Sequence, residues 1–156
     1  MAWSIEGTTQ YLSEFGLKPT LSRIGTQKGK VYLSNICQVD PNNINNANQY
    51  AYYIYCQNTQ AKALLVTTSI VDKKYLAEAE TTFTKLIKSL VKQTANGKLS
   101  KNFSLENGSS EQIDDVVVQI ERDSEQHKGS LRGIFSLASD SLDAKRWVNI
   151  INDVSA

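Results

Sequence analysis

Apolar and polar positions along this chain repeat with two periods, close to two in some stretches and to 3.6 in others. From Tyr50 to Gln57 (YAYYIYCQ) the period is two. Tyr50, Tyr52, Ile54 and Cys56 share one side, and Ala51, Tyr53 and Tyr55 the other. Aromatic and β-branched residues suit a pleated, half-buried surface, so the stretch predicts a strand. Neither side is strongly polar, which predicts an inner strand or one covered on both faces. Asn58 to Gln60 supplies a turn, and Ala61 to Val71 predicts the returning strand of an antiparallel hairpin. The period then changes. Leu76, Ala79, Phe83, Leu86, Ile87, Leu90 and Val91 recur at spacings of three and four, the apolar stripe of a long helix. Asp72 is placed to cap it, lysines crowd its last turns, and Gly97 supplies a stop.

The same order of strand, turn, strand and helix recurs from Asp115 to Val154. Ile113 to Arg122 predicts one strand, Asp123 to Gly129 a polar turn, and Ser130 to Ala138 its partner. Gly133 inside that partner marks a bulge or a close backbone approach. Asp140 or Ser141 caps a last helix whose stripe is Leu142, Ala144, Trp147, Val148, Ile151 and Val154. Residues 50–92 and 115–154 therefore read as a strand-strand-helix pseudo-repeat. Ahead of them, Trp3 to Phe15 predicts a first helix that stops at Gly16. Thr20 to Ile24 predicts a short strand, Gly25 to Gly29 a turn, and Lys30 to Val39 a strand. The ten residues Asp40 to Gln49 (DPNNINNANQ) are a loop, because Asn bonds its own backbone and tolerates turn conformations. Such a loop is either a recognition surface or a solvated, mobile connection. Gln93 to Gln112 is a polar crossing, with Phe103 and Leu105 to pin it to the body or to form a minor edge strand.

These elements predict a single α+β domain over residues 1–156. Its antiparallel sheet has about five to six strands with helices packed on one face, in the order α-β-β-β-β-α-β-β-α. A chain of 156 residues buries enough surface to need no staples. Its net charge of +1, from 17 basic and 16 acidic residues, makes no electrostatic case for nucleic acid or an anionic membrane. Nor does any apolar run reach the ~20 residues that span a bilayer. The N-terminus MAWSIEGTTQ lacks a basic stretch followed by an apolar one, so a cytoplasmic location is expected. Cys37 and Cys56 both fall in predicted strands. They read as two buried thiols, with Cys37 facing about Tyr52, or as a bridge if the register differs.

Candidate chemistry is sparse. The single histidine, His127, lies in a polar turn that offers neither a third group to orient it nor shelter from water. Apolar strand interiors raise a thiol's pKa, which disfavours either cysteine as a nucleophile. Asp114 and Asp115 point to opposite faces of a strand, and Asp140 and Asp143 are explained by a helix start. No Cys-x-x-Cys, calcium-loop or phosphate-loop pattern occurs. Lys18, Arg23, Lys28 and Lys30 form a mild basic cluster without the platform that nucleic acid requires. No cofactor or metal is expected.

No motif assigns a family, but parts of the chain carry likenesses. QYLSEFGL followed by the strand KVYLSNI resembles the opening of small type III secretion chaperones, which bind unfolded partner segments as dimers. Those chaperones are typically acidic, whereas this chain is balanced. GIFSLASDSLDAKRWVNIINDV, and the earlier LLVTTSIVDKKYLAEAETTFTKLIKSL, are similar to the strand and helix that close the Mog1/PsbP-like fold. Neither likeness brings a functional residue with it.

The expected function is a non-enzymatic protein-binding domain, acting as a chaperone, adaptor or assembly factor. Its partner is another protein or a second copy of itself. The surface is either loop 40–49 or a sheet face left bare by the helices, with Tyr53, Tyr55, Val117 and Gln119 as contact residues. Besides an enzyme with dispersed catalytic residues, two alternatives stand beside it. One is a small inhibitor or immunity-type protein that blocks a cognate enzyme with the loop or with Asp114, Asp115, Glu121 and Asp123. The other is a structural subunit of a larger, even viral, assembly.

Overall fold

In a computed structural model, residues 3–4, 10–24, 30–57, 60–94, 105–106, 108–113, 116–122 and 129–137 are described. The hairpin that dominated the sequence is the centre of the fold. Its strands β5 (Gln49–Gln57) and β6 (Gln60–Ser69) pair from Gln49↔Ser69 to Gln57↔Gln60, with a bulge between Tyr55 and Cys56. The second hairpin, β8 (Val116–Arg122) and β9 (Ser130–Leu137), joins it through β6 and β9, which run antiparallel from Ala63↔Ser136 to Ser69↔Ser130. On the outer flank of β5 lie β3 (Lys30–Ser34) and then β2 (Pro19–Ile24). On the outer flank of β8 lies β7 (Ser110–Ile113). The result is one antiparallel sheet in the order β2-β3-β5-β6-β9-β8-β7. Two short pieces run beside this path, β1 (Trp3–Ser4) against β6 and β4 (Cys37–Gln38) against β5.

The α+β class and the antiparallel sheet stand, but the element order departs from expectation in three places. Among the described residues the first helix covers 10–13, and Trp3–Ser4, expected to open it, pairs with β6. Gly16 still ends the turn, at φ 81°. The strand expected over 30–39 breaks at Asn35–Ile36 into β3 and β4. Asn35 causes the break, because its Oδ1 accepts from Lys18 N at 2.8 Å and its own N–H donates to Lys18 O. The strand expected over 113–122 is two strands. Ile113 pairs with Val116, so the chain reverses between them. A pair of aspartates is a turn signal that the apolar run after it concealed. The sheet is therefore wider than five or six strands. The last predicted helix, after Leu137, lies outside the described residues.

Pairing sorts the side chains onto two faces. Tyr52, Ile54, Cys56, Leu64, Val66, Val116, Val118, Ile120, Leu131 and Phe135 form one buried cluster with the helix residues Phe83, Leu86, Ile87, Leu90 and Val91. Leu12 and Leu17 belong to the same cluster. The long helix (Leu76–Thr94) follows a 3₁₀ turn (Lys73–Tyr75) capped by Asp72, whose carboxylate accepts from Lys74 N at 3.0 Å. Six of the seven predicted stripe residues are buried, and the first, Leu76, is exposed. Gly133 is what lets the helix come down. A Cβ there would overlap Ile87 Cδ1 and stand 3.3 Å from its Cγ1. An ion pair between Arg122 and Glu80 at 2.9 Å ties the helix to β8, and Arg122 Nε also donates to Leu105 O at 2.8 Å. Leu105 thus pins the polar crossing, packed against the main cluster.

Candidate functional site

The four residues expected to meet a partner share the face opposite the helix. Tyr53, Leu65, Ile134 and Gln119 form one row across β5, β6, β9 and β8. Tyr55, Ala63, Ser136 and Val117 form the next. The face is not bare. Val31, Tyr55, Ala63, Leu65 and Ile134 make a second buried cluster, with Tyr55 6% and Leu65 4% exposed. Tyr53, Val117 and Gln119 are half-buried. The structure brings the four onto one surface, but its apolar centre is already out of water.

Loop 40–48 is tied to the body by its asparagine side chains, while Pro41, Asn42, Ile44, Asn45 and Ala47 stay exposed to solvent. Asn46 and Asn48 are fully buried. Asn48 Oδ1 accepts from Val71 N at 2.8 Å and Asp72 N at 2.9 Å. Its Nδ2 donates to Asp72 O at 3.1 Å and, more weakly, to Tyr75 O at 3.4 Å. A side-chain amide has two donors and two acceptor sites, and all four are used here. Asn46 Nδ2 donates to Glu78 Oε2 at 3.2 Å, and Asn46 Oδ1 accepts from Asn48 N at 3.1 Å. Two more side chains shape the turns, Asp40 accepting from Asn42 N and Asn43 from Asn45 N. The asparagines therefore bolt the loop to the start of the helix.

That hydrogen-bonded frame presents apolar side chains to solvent. Ile44, at the loop's tip, is 91% exposed, and Val71, beside the Asn48 clamp, is 70% exposed. Leu76, at the helix start, is 38% exposed, and Ile36, just before β4, is 65% exposed. Ile36, Ile44 and Val71 lie in connections at one end of the sheet, and Leu76 opens the helix that follows. The sequence offers loop 40–49 as one of two surfaces, but its spacing singles out neither Ile44 nor Ile36. The spacing places Val71 in a strand and Leu76 on the core stripe.

The other candidates fare differently. Cys37 on β4 and Cys56 on β5 are free thiols; Cys56 is buried, level with Lys30, whereas Cys37 is only half-buried and stands level with Tyr50 instead of Tyr52. Burial pushes the Cys56 thiol up to about 12. The Cys37 thiol donates to Gly16 O at 3.2 Å, and Tyr50, raised first by burial and then by the nearby Cys37, donates to Phe15 O. Glu121 is paired with Arg132 at 3.0 Å, so it is not a bare acidic blocking group. His127, Asp114, Asp115, Asp123, Asp140 and Asp143 lie outside the described residues, as does Lys28 of the basic cluster. A shallow, open depression along one flank of the helix is lined by Ala77, Glu80, Thr81, Thr84, Lys85 and Lys88. Among the described residues, no three of His, Cys, Asp or Glu approach as metal ligands would, and no helix is long and apolar enough to cross a membrane. No protein-family model, curated protein or solved structure matches the chain.

Proposed function

We propose that the chain is a non-enzymatic protein-binding domain, a chaperone, adaptor or assembly factor that engages its partner through loop 40–48 and the helix start. The observation that carries this reading is Ile44, 91% exposed on a loop held by two fully buried asparagines. Isolated surface aliphatics are ordinary and need no explanation. Here three of them stand on stretches joined by the Asn48 and Asn46 hydrogen bonds. Burying one such side chain releases about 1.5–3 kcal/mol, which the free chain leaves unrealised. A loop already fixed in place adds little ordering cost when a partner arrives. Catalysis finds less support, since the strongly raised groups, Tyr52 and Cys56, sit within apolar packing and not in a cleft.

Affinity capture from the native source tests the reading. The unaltered chain should retain a stoichiometric protein partner, and Gln112→Lys on the far edge strand should retain it equally. Ile44→Asp and Val71→Asp should lose it while melting normally. A partner held equally well by Ile44→Asp would sink the assignment of this surface.

A further inference from the structure

The sheet face opposite the long helix is buried most deeply at one end. Val31, Tyr55, Ala63 and Ser136 form one row across β3, β5, β6 and β9, each 6% exposed or less. In the next row Leu65 and Ile134 are buried, while Leu33 and Tyr53 are half-buried. In the third, Ala51, Thr67, Arg132 and Glu121 are all half-buried. Neighbouring strands flank a side chain but do not roof it. Side chains as small as those of Ala63 and Ser136 are nonetheless 0% exposed. Among the described residues, every member of this second cluster belongs to the sheet itself. These exposures are those of a single chain, so the roof belongs to the chain too.

We propose that residues 138–156, which lie outside the described residues, supply this roof as an amphipathic helix docked on the second cluster. β9 ends at Leu137, next to Ser136, so the segment departs from the deeply buried end. Ala144, Trp147, Val148, Ile151 and Val154 recur at spacings of three and four, with Lys145, Arg146, Asn149, Asn152 and Asp153 on the other side. From Ser141 to Val154 a helix is about 21 Å long, against about 14 Å across the four strands of the row. The other stretches outside the described residues do not serve as well. Those at 25–29, 58–59 and 114–115 are short turns with no large apolar side chain, and 123–128 lies at the other end of the sheet, beyond Arg122↔Leu131. Those at 5–9 and 95–104 lead toward Leu12 and Leu105, which pack on the first cluster. The two long helical stripes then lie on opposite faces of the sheet, and the face once open to a partner is closed by the chain's own residues. This inference stands apart from the proposed function, which concerns the loop end of the sheet.

Nuclear Overhauser contacts in the full chain test it. Indole protons of Trp147 and methyl protons of Ile151 should give cross-peaks to Val31, Leu65 and Ile134 and to the Tyr55 ring, and none to Leu64, Val66 or Phe135 of the first cluster. Urea denaturation gives a second reading. Leu65→Ala combined with Ile151→Ala should lower the midpoint by less than the sum of the two single shifts, because residues in contact are not independent. Leu64→Ala combined with Ile151→Ala should simply add, since Leu64 points to the other face. Cross-peaks from Trp147 to the first cluster overturn the inference, as does a Trp147 without contact to the sheet. Cross-peaks from residues 5–9 or 95–104 onto Leu65 and Ile134 in its place overturn it as well. So do contacts seen only between differently labelled copies, which would make the roof a second chain's. None of these outcomes touches Ile44, so the loop surface is judged separately by the capture experiment.

Discussion

At the scale of single residues, Tyr52 is the least settled group in the core. Its ring is fully buried under the helix, yet its hydroxyl has no hydrogen-bond partner among the described residues. Burying such a group unsatisfied costs about 1–3 kcal/mol. Tyr52→Phe removes only that oxygen, so it should stabilise the chain by about 1 kcal/mol in urea denaturation at neutral pH. Burial also pushes the Tyr52 phenol up to about 12 from its ordinary 10.0, and the Cys56 thiol up to about 12 from 9.0. Both groups keep in the native state a proton that the unfolded chain releases sooner. Stability is therefore whole below the unfolded values and falls as pH climbs through the window from 9 or 10 to about 12. Each unit of separation is worth about 1.4 kcal/mol, so the combined loss is of the order of several kcal/mol. Tyr52→Phe should remove the upper part of that slope and leave the part owed to Cys56. A slope unchanged in the variant would show that the phenol is solvated.

Among the elements, the join between loop 40–48 and the helix decides whether the candidate surface exists. Asp72 as a cap was readable, because a short carboxylate ahead of a 3.6-period stripe has one common use. The clamp from Asn48 was not. Side-chain amides favour loops through local bonds, and nothing in a run of asparagines says which one reaches 24 residues along the chain. The same limit explains the split strand. Ile113 and the valines after it share an apolar, β-branched character, so periodicity joins what the Ile113↔Val116 pairing shows to be a hairpin. Asn48→Ala should cost about 3 kcal/mol, since it strands the Val71 and Asp72 N–H groups and takes a donor from two carbonyls at a helix start. Amide hydrogen exchange should speed up first at Val71, Asp72 and the following turn. The variant should bind a partner less well even where it stays folded, because Ile44 would lose its fixed position. Binding unaltered by Asn48→Ala would separate the loop's order from its role.

For the molecule as a whole, the governing fact is that the central strands are buried on both sides. The sequence pointed to this at β5, where neither face is strongly polar, but it suggested a free surface where the structure has a second buried cluster. Alternation tells which residues share a face and is silent on what lies over it. Leu64 and Leu65 are neighbours on β6 that point to opposite faces, one in each cluster. If the face opposite the helix were open to a partner, Leu65→Ala would cost the free chain little, and only Leu64→Ala would be severe. With Leu65 4% exposed, both should destabilise by about 2–5 kcal/mol. Exchange should agree, with the slowest amides in β6 and β9 and faster ones in the edge strands β2 and β7, because the middle of the sheet opens only when both clusters come apart. A mild Leu65→Ala, with fast exchange at Ile134 beside it, would return the binding surface to the sheet and take it away from the loop.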